Sequence, residues 1–84
     1  MQIRMRYFAS LREITGQREE ALSIAEGTTV AGVRALLLER YPVLEHALAR
    51  AVAALNHQYV TEETLLKEGD EMVFIPPVGG GREQ

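Results

Sequence analysis

Cysteine is absent from this sequence. The chain therefore cannot form disulfides, and it has neither a thiolate nucleophile nor a thiolate ligand for a metal. No hydrophobic run is long enough to span a membrane. Arg4 and Arg6 alternate with apolar residues near the N-terminus, unlike the continuous apolar stretch of a signal peptide. These absences favour a cytoplasmic protein without a membrane partner.

Positive charge is also scarce. The formal net charge is −3 at pH 7 and the arginines are scattered along the chain, so we do not expect a nucleic-acid partner. The 84 residues are enough for one small domain. A domain of this size buries only about 60% of the surface of its unfolded chain. We therefore expect one modest core and no enclosed active site.

Residue patterns typical of enzymes are missing as well. The chain contains no recognisable pairing of a nucleophile with a base, no phosphate-binding loop and no metal signature. His46 and His57 are far apart and are read as surface or turn residues, whereas the glutamates at 19–20 and 62–63 are read as solvated pairs. We predict no metal site, no bound cofactor and no chemistry beyond that of a C-terminal carboxylate.

The apolar pattern predicts five strands. Ile3, Met5 and Tyr7 alternate with polar residues, which is typical of a half-buried strand. Asn56 and His57 form a plausible tight turn between two short strands, because asparagine tolerates left-handed backbone angles. The first and last strands are expected to lie side by side as a parallel central pair. The predicted strands cover residues 2–8, 19–25, 51–55, 58–60 and 71–75.

One principal helix is predicted between the second and third strands. The hydroxyl of Thr29 can cap its first turn, and Pro42 ends it. Shorter helical turns are predicted over residues 9–14 and 43–48, and one helix across a mixed sheet is an α+β arrangement. The apolar residues at helical spacing are Val30, Val33, Leu37 and Tyr41.

The last strand is predicted to have two different faces. If Met72 and Phe74 face the helix, the alternate residues face away from it. Singly exposed apolar residues are ordinary, whereas a cluster of them is typical of a docking surface, and the sequence leaves both interpretations open. The apolar residues expected on this outward face are Phe8, Tyr59, Val73 and Ile75.

The nine residues after this strand form the most distinctive segment of the chain. They read Pro76-Pro77-Val78-Gly79-Gly80-Gly81-Arg82-Glu83-Gln84. The two prolines stop sheet pairing, and the glycines form a thread that can enter a slot too narrow for other residues. A glycine run by itself is more often a frayed end. Directly after a strand and two prolines, it suits a C-terminus that is delivered into the active site of a partner.

Several segments together match one known family. They are Phe8 to Gly16 (FASLREITG), Thr29-Val30, Leu55-Asn56, Gly69-Asp70-Glu71 and the terminal Pro-Pro-Val-Gly-Gly-Gly. The chain resembles, over nearly its whole length, the small subunits of molybdopterin synthase, which are sulfur carriers. The resemblance implies a ubiquitin-like β-grasp fold, an α+β domain in which one principal helix packs on one face of a mixed sheet. On this basis we expect a β-grasp domain over residues 1–78 and a flexible tail over residues 79–84.

The resemblance also implies a function. An E1-like enzyme adenylates the terminal glycine with ATP, a sulfur donor converts it to a thiocarboxylate, and the tail carries this sulfur into the large synthase subunit. Matched position by position, Gly81 is the thiocarboxylate residue and Gly80 is its slim neighbour. The expected assembly is a heterotetramer of two small and two large subunits. The partner-binding residues that the resemblance implies are Phe8, Tyr59, Ile75, Pro76, Pro77, Val78 and Gly79.

Two features depart from this family. His57 occupies a turn position where glycine is common, and Arg82-Glu83-Gln84 follow the glycine whose carboxylate must be free. Either a processing protease removes this extension, or the chain is part of a fusion of the small and large subunits, or it does not carry sulfur as written. Two other functions stay open, namely a sulfur carrier for thiamine or cysteine synthesis and a ubiquitin-like binding module that forms no thiocarboxylate.

Overall fold

The computed structural model describes residues 1–75. The predicted domain boundary at residue 78, the predicted tail over 79–84 and the predicted site residues from Pro76 to Gly81 lie outside this range. The described elements are β1 (Gln2–Arg6), α1 (Ala9–Thr15), β2 (Glu19–Ser23), α2 (Val30–Arg40), a 3₁₀ turn (Pro42–Leu44), α3 (Glu45–Arg50), β3 (Val52–Leu55), β4 (Gln58–Val60) and β5 (Glu71–Ile75).

The five strands form one mixed sheet in the order β2-β1-β5-β3-β4. The predicted parallel central pair is confirmed, because β1 and β5 run parallel, with Met5 opposite Met72. The other neighbouring strands pair antiparallel. A mixed sheet with a helix packed across one face is the β-grasp arrangement that the resemblance implies.

Helix α2 begins as its sequence predicts. The hydroxyl of Thr29 accepts a hydrogen bond from the backbone N–H of Gly32 at 3.2 Å, which satisfies one of the free donors of the first turn. The helix ends at Arg40, one residue earlier than expected, and Tyr41 has a φ of −131°. The reason is that Pro42 disfavours the helical conformation in the residue before it.

The buried core lies between α2 and the inner face of the sheet. The strands contribute residues at alternate positions and α2 contributes one stripe, as the pattern predicts. No helix among residues 1–75 is long and apolar enough to cross a bilayer. The most completely buried side chains are Met5, Leu11, Leu22, Val30, Val33, Leu37, Leu44, Leu48, Met72 and Phe74.

The segment after α2 has more helix than its sequence predicts. Instead of a single short turn over residues 43–48, the structure has a 3₁₀ turn followed by α3. Leu44 and Leu48 lie four residues apart and both are fully buried. Because that spacing places both on one helical face, packing against the core explains this second helical element.

Candidate functional site

The outer face of the sheet, opposite α2, carries a continuous row of side chains across four strands. Arg6 of β1 lies opposite Val73 of β5, which lies opposite Ala54 of β3, which lies opposite Tyr59 of β4. Strand alternation points all four side chains away from the core. The predicted assignment of the outward face is therefore confirmed.

This face contains an open depression of about 380 Å³. Phe8 and Tyr59 are 54% and 74% exposed, and Ile75 is half-buried at the edge where the described chain ends. The structure thus brings Phe8, Tyr59 and Ile75 together, while their role in partner binding stays a prediction. The residues that line the depression are Arg6, Phe8, Ala54, His57, Tyr59, Glu71, Val73 and Ile75.

An unusual backbone turn sets the position of Phe8. The preceding residue, Tyr7, points into the core and is 3% exposed, and its N–H donates to the carbonyl of Arg18 at 2.8 Å. Ala9 then has a φ of +47°, a left-handed conformation that costs a residue with a Cβ free energy. The chain leaves the sheet at this point, so Phe8 is presented on the outer face at the start of α1.

A half-buried carboxylate, that of Glu20, makes hydrogen bonds near the same region. The hydroxyls of Tyr7 and Tyr41 donate to Glu20 Oε1 at 2.7 and 3.1 Å, and Arg40 Nη1 donates to Glu20 Oε2 at 2.7 Å. The Glu20 side chain is only 17% exposed. The expectation that residues 19–20 form a solvated pair is therefore wrong for Glu20. Three of its four side-chain partners lie 13 to 21 residues away in sequence, and only Gln17 is local.

These contacts shift three pKa values. Burial alone would raise the pKa of Glu20, but the hydrogen bonds from Tyr7, Tyr41 and Arg40 outweigh it and hold that pKa below its ordinary value. The pKa values of Tyr7 and Tyr41 are raised, first by burial and then by the hydrogen bond that each makes to the Glu20 carboxylate. Both phenols therefore stay protonated and keep donating at physiological pH.

A second set of hydrogen bonds fixes the turn between β3 and β4 beside the depression. Asn56 Nδ2 donates to Asp70 Oδ1 at 3.0 Å, and the N–H of Glu71 donates to Asn56 Oδ1 at 3.0 Å. The other oxygen of Asp70 accepts from the N–H of Lys67 at 2.7 Å. The turn is thus tied to the start of β5, and its next residue, His57, is placed on the wall of the depression.

The charged residues of the depression are paired. Arg6 Nη1 lies 3.0 Å from Glu71 Oε2, and this hydrogen bond is the main reason that the pKa of Glu71 is lowered. Arg4 lies two residues before Arg6 on the same face of β1, and its Nη1 is 3.8 Å from Glu19 Oε1. Because Arg6 and Glu71 neutralise each other, the charges of the depression are largely compensated before any partner binds. The rest of its floor is mainly apolar.

One ion pair on the opposite side of the sheet was missed by the sequence reading. Glu62 was expected to be solvated, but Arg34 contacts it through two nitrogens, at 3.1 and 2.6 Å, and also donates to the carbonyl of Leu48. The guanidinium lies 4.7 Å from the ring centroid of Phe74. No local pattern in the sequence indicates this pair, because the partner is 28 residues away.

No catalytic machinery accompanies this face in the part of the chain that is described. Within residues 1–75, no three His, Asp or Glu side chains come close enough together to hold a metal ion. The outer face offers an apolar floor with compensated charges, which is suited to binding another protein surface. The predicted reactive residues, Gly80 and Gly81, lie outside the described residues.

Comparison with known proteins gives consistent matches. The ThiS family matches residues 5–81. The molybdopterin synthase sulfur carrier subunit of Chlamydomonas reinhardtii is 36% identical over 83 residues, which cover 96% of this chain and all of that protein. This chain is similar along its length to relatives of its own size.

Solved structures agree with the fold. A putative molybdopterin converting factor subunit 1 from Pyrococcus furiosus superposes with a TM-score of 0.85 at 27% identity, covering 93% of this chain and 99% of that one. The complex of subunits 1 and 2 of the molybdopterin-converting factor from Helicobacter pylori contains a chain that matches with a TM-score of 0.71 at 26% identity. That match covers 96% of this chain and 100% of the other.

Proposed function

Because this chain belongs to the ThiS family, we propose that it acts as the sulfur carrier subunit of a molybdopterin synthase. The observation that carries this proposal is the 36% identity to a molybdopterin synthase sulfur carrier subunit, over the whole length of that protein. The family match reaches Gly81, which is where the proposed chemistry needs it. An activating enzyme that consumes ATP is consistent with a cytoplasmic location.

The reactive group is the carboxylate of Gly81. A free carboxylate is a poor electrophile, so an E1-like partner must first activate it. One carboxylate oxygen attacks the α-phosphorus of ATP and displaces pyrophosphate, which leaves an acyl adenylate. A hydrosulfide equivalent from the sulfur donor then attacks the acyl carbon and expels AMP together with that oxygen. The product is a thiocarboxylate on Gly81, with Gly80 as a neighbour slim enough for a narrow slot.

The large synthase subunit receives this sulfur. Holding the thiocarboxylate on a docked carrier replaces dilute sulfide with a positioned nucleophile. Its sulfur attacks a carbon of cyclic pyranopterin monophosphate and displaces an oxygen from that carbon. Water then hydrolyses the resulting thioester, which leaves the sulfur on the substrate and restores the Gly81 carboxylate. Since a dithiolene contains two sulfur atoms, two loaded carriers are consumed for each molybdopterin. We also propose a heterotetramer of two small and two large subunits, as the resemblance to molybdopterin synthase small subunits implies.

The depression on the outer face is the proposed docking site for the large subunit. Phe8, Tyr59 and Ile75 supply exposed apolar area around a floor of low net charge, which is the composition that favours stable protein contacts. Ile75 lies at its edge, and the segment from Pro76 to Gly79 follows directly in sequence. The solved complex of the two Helicobacter pylori subunits supports a partner of this kind.

The residues after Gly81 must be removed before activation. In this sequence the Gly81 carbonyl is in a peptide bond to Arg82, and activation at any residue beyond Gly81 would place a bulky segment where glycine is needed. We propose that a protease cleaves after Gly81. A carrier domain within a subunit fusion would need the same cleavage or would transfer no sulfur.

Intact mass after incubation with the E1-like enzyme, ATP and a sulfur donor tests this proposal. The form that ends at Gly81 should gain one sulfur in place of one oxygen, and the 84-residue form should not. Equal loading of both forms would contradict the assignment of Gly81. Loading of neither form, with an activating enzyme that loads its own carrier, would instead favour a binding module. A trimmed carrier that loads but serves only thiamine or cysteine synthesis would identify that alternative.

A further inference from the structure

His57 occupies a backbone conformation that glycine adopts more readily. Its φ is +72°, and that of the preceding Asn56 is +50°. Positive φ at both central residues is typical of a tight type I′ hairpin turn, in which the second residue is favourably glycine. Asparagine tolerates this region because its short side chain bonds locally, whereas histidine there carries a conformational cost that glycine avoids.

The fold accounts for Asn56 but not for His57. Asn56 makes hydrogen bonds to Asp70 and Glu71 through its side chain, and its N–H donates to the Glu71 carbonyl at 2.8 Å. The His57 side chain is exposed, and within residues 1–75 its imidazole makes no hydrogen bond or ion pair. Nothing in the described molecule requires an imidazole at this position, although the turn beneath it is firmly held.

The imidazole faces the depression, where the other charges already have partners. Glu71 on β5 is paired with Arg6 on β1, and Asp70 is engaged by Asn56 and by the N–H of Lys67. Tyr59 on β4 is the remaining titratable group of the lining. Protonation of His57 would therefore give the depression a net positive charge, although the chain as a whole carries −3.

We propose that His57 is a specificity contact for the large synthase subunit, in which its imidazolium binds a carboxylate of that partner at the wall of the depression. The inference rests on the proposed function, because it assumes that the large subunit docks on this face. Charge complementarity supports a carboxylate, since a negative group is the one that gains from an uncompensated cation at the contact. The hydrogen-bonded turn holds the imidazole in place before binding, which lowers the entropy lost on association.

Two substitutions separate this role from a role in folding. His57→Gly removes the side chain and accepts a positive φ, and His57→Asn keeps a polar side chain that tolerates the same φ but does not titrate. We expect neither variant to lower Tm, because both residues fit the turn. At pH 6 we expect each to bind the purified large subunit about five- to ten-fold more weakly than the unchanged chain, the size typical of a charged contact.

The pH dependence identifies the bound group. The ratio of the Kd of His57→Asn to that of the unchanged chain, measured by calorimetry at pH 6 and pH 8.5, cancels any titration of the partner. A contact that depends on a positive imidazolium should give a ratio of about five-fold or more at pH 6 and a ratio near one at pH 8.5. A ratio that stays the same at both pH values would overturn the carboxylate contact.

Two further outcomes would overturn the inference in different ways. A clear fall in Tm for His57→Gly would show that the histidine serves the fold. Unchanged binding by both variants at pH 6, with tight binding by the unchanged chain, would overturn this contact while leaving the proposed docking intact. Failure of the unchanged chain to bind the large subunit would instead contradict the proposed function, and this inference with it.

Discussion

The two faces of β5 show how one strand of five residues serves two purposes. Met72 and Phe74 point inward and are fully buried, whereas Glu71, Val73 and Ile75 point outward and are half-buried. The inner face is wholly apolar and packs under α2. The outer face mixes apolar and charged groups and forms the floor of the depression. The difference teaches that alternate residues of one backbone can supply a buried core on one side and an open apolar surface on the other.

Backbone angles also distinguish the surroundings of the depression from the buried core. Among the described residues, the non-glycine residues with positive φ are Ala9, Asn56 and His57. One directly follows Phe8, and His57 lines the depression. Unfavourable backbone angles concentrate at functional sites because regular core elements have no need for them. This placement is consistent with selection for the shape of the outer face.

The largest expected effect is a loss of stability from a substitution on the inner face of β5. Phe74→Ala should lower the free energy of unfolding by about 3–5 kcal/mol, because it leaves a cavity in the core and removes the ring beneath the Arg34 guanidinium. Val73→Ala, the neighbouring change on the outer face, should cost under about 1 kcal/mol. Denaturant unfolding of both variants measures the difference, and equal losses would contradict the assignment of the two faces.

The next largest effect is expected from a change on the outer face that should weaken partner binding without unfolding the domain. Ile75→Asp should leave the domain folded but weaken binding to the large subunit about thirty-fold or more, because a charge would face an apolar partner at the proposed contact. Val52→Asp is a matched control, since Val52 pairs with Ile75 and is 51% exposed but does not line the depression. Circular dichroism and calorimetry test both. Unfolding of Ile75→Asp, or unchanged binding, would refute the docking role.

A smaller effect is expected at the Glu20 carboxylate, whose hydrogen bonds lie at the edge of the core. The pKa of Glu20 is lower in the folded state, so its carboxylate contributes stability above the ordinary glutamate pKa, and this contribution is lost as pH falls through that range. Glu20→Gln should cost about 1–2 kcal/mol at pH 7 and flatten the dependence of stability on pH between about 5 and 3. Tyr41→Phe should show a weaker form of the same change. A pH dependence that survives Glu20→Gln would assign it to other groups.

The smallest effect concerns the strained backbone beside Phe8. Ala9→Gly should raise the free energy of unfolding by about 0.5 kcal/mol, because glycine accepts a φ of +47° without steric cost. Ala35→Gly, at an exposed position inside α2, should lower it by about 1 kcal/mol. Opposite signs for these two chemically identical changes would confirm the strain at Ala9. A loss at both positions would show that Ala9 is not strained.

Much of the fold could be predicted because its signals are local. Alternation located β5 and its two faces, and the spacing of Val30, Val33 and Leu37 located α2 together with its cap at Thr29. The second helical element, α3, was underestimated because a pair of buried leucines four residues apart is too short a signal on its own. Residues 1–75 therefore match the predicted element order, with one helix extended. The predicted bounds of three strands are wrong at one end: β1 and β2 each end two residues earlier than expected, and β3 begins one residue later.

The polar contacts could not be predicted because they join distant parts of the chain. Glu20 looks like a solvated residue until β1 and the end of α2 bring Tyr7, Tyr41 and Arg40 around it. Glu62 gains its partner from α2 in the same way. In the candidate site, strand alternation placed Ile75 correctly. Phe8 lies beyond the end of β1, at the start of α1, and His57 joins them only through the geometry of a turn.

The central claim is that this chain delivers sulfur from Gly81 to a large synthase subunit. A single-turnover reaction tests it most directly, in which the purified, thiocarboxylated form ending at Gly81 is mixed with the large subunit and cyclic pyranopterin monophosphate. The account predicts that molybdopterin forms as the thiocarboxylate is consumed, with two carriers used per product. Full retention of the thiocarboxylate and no product, with a large subunit shown to be active with its own carrier, would contradict it.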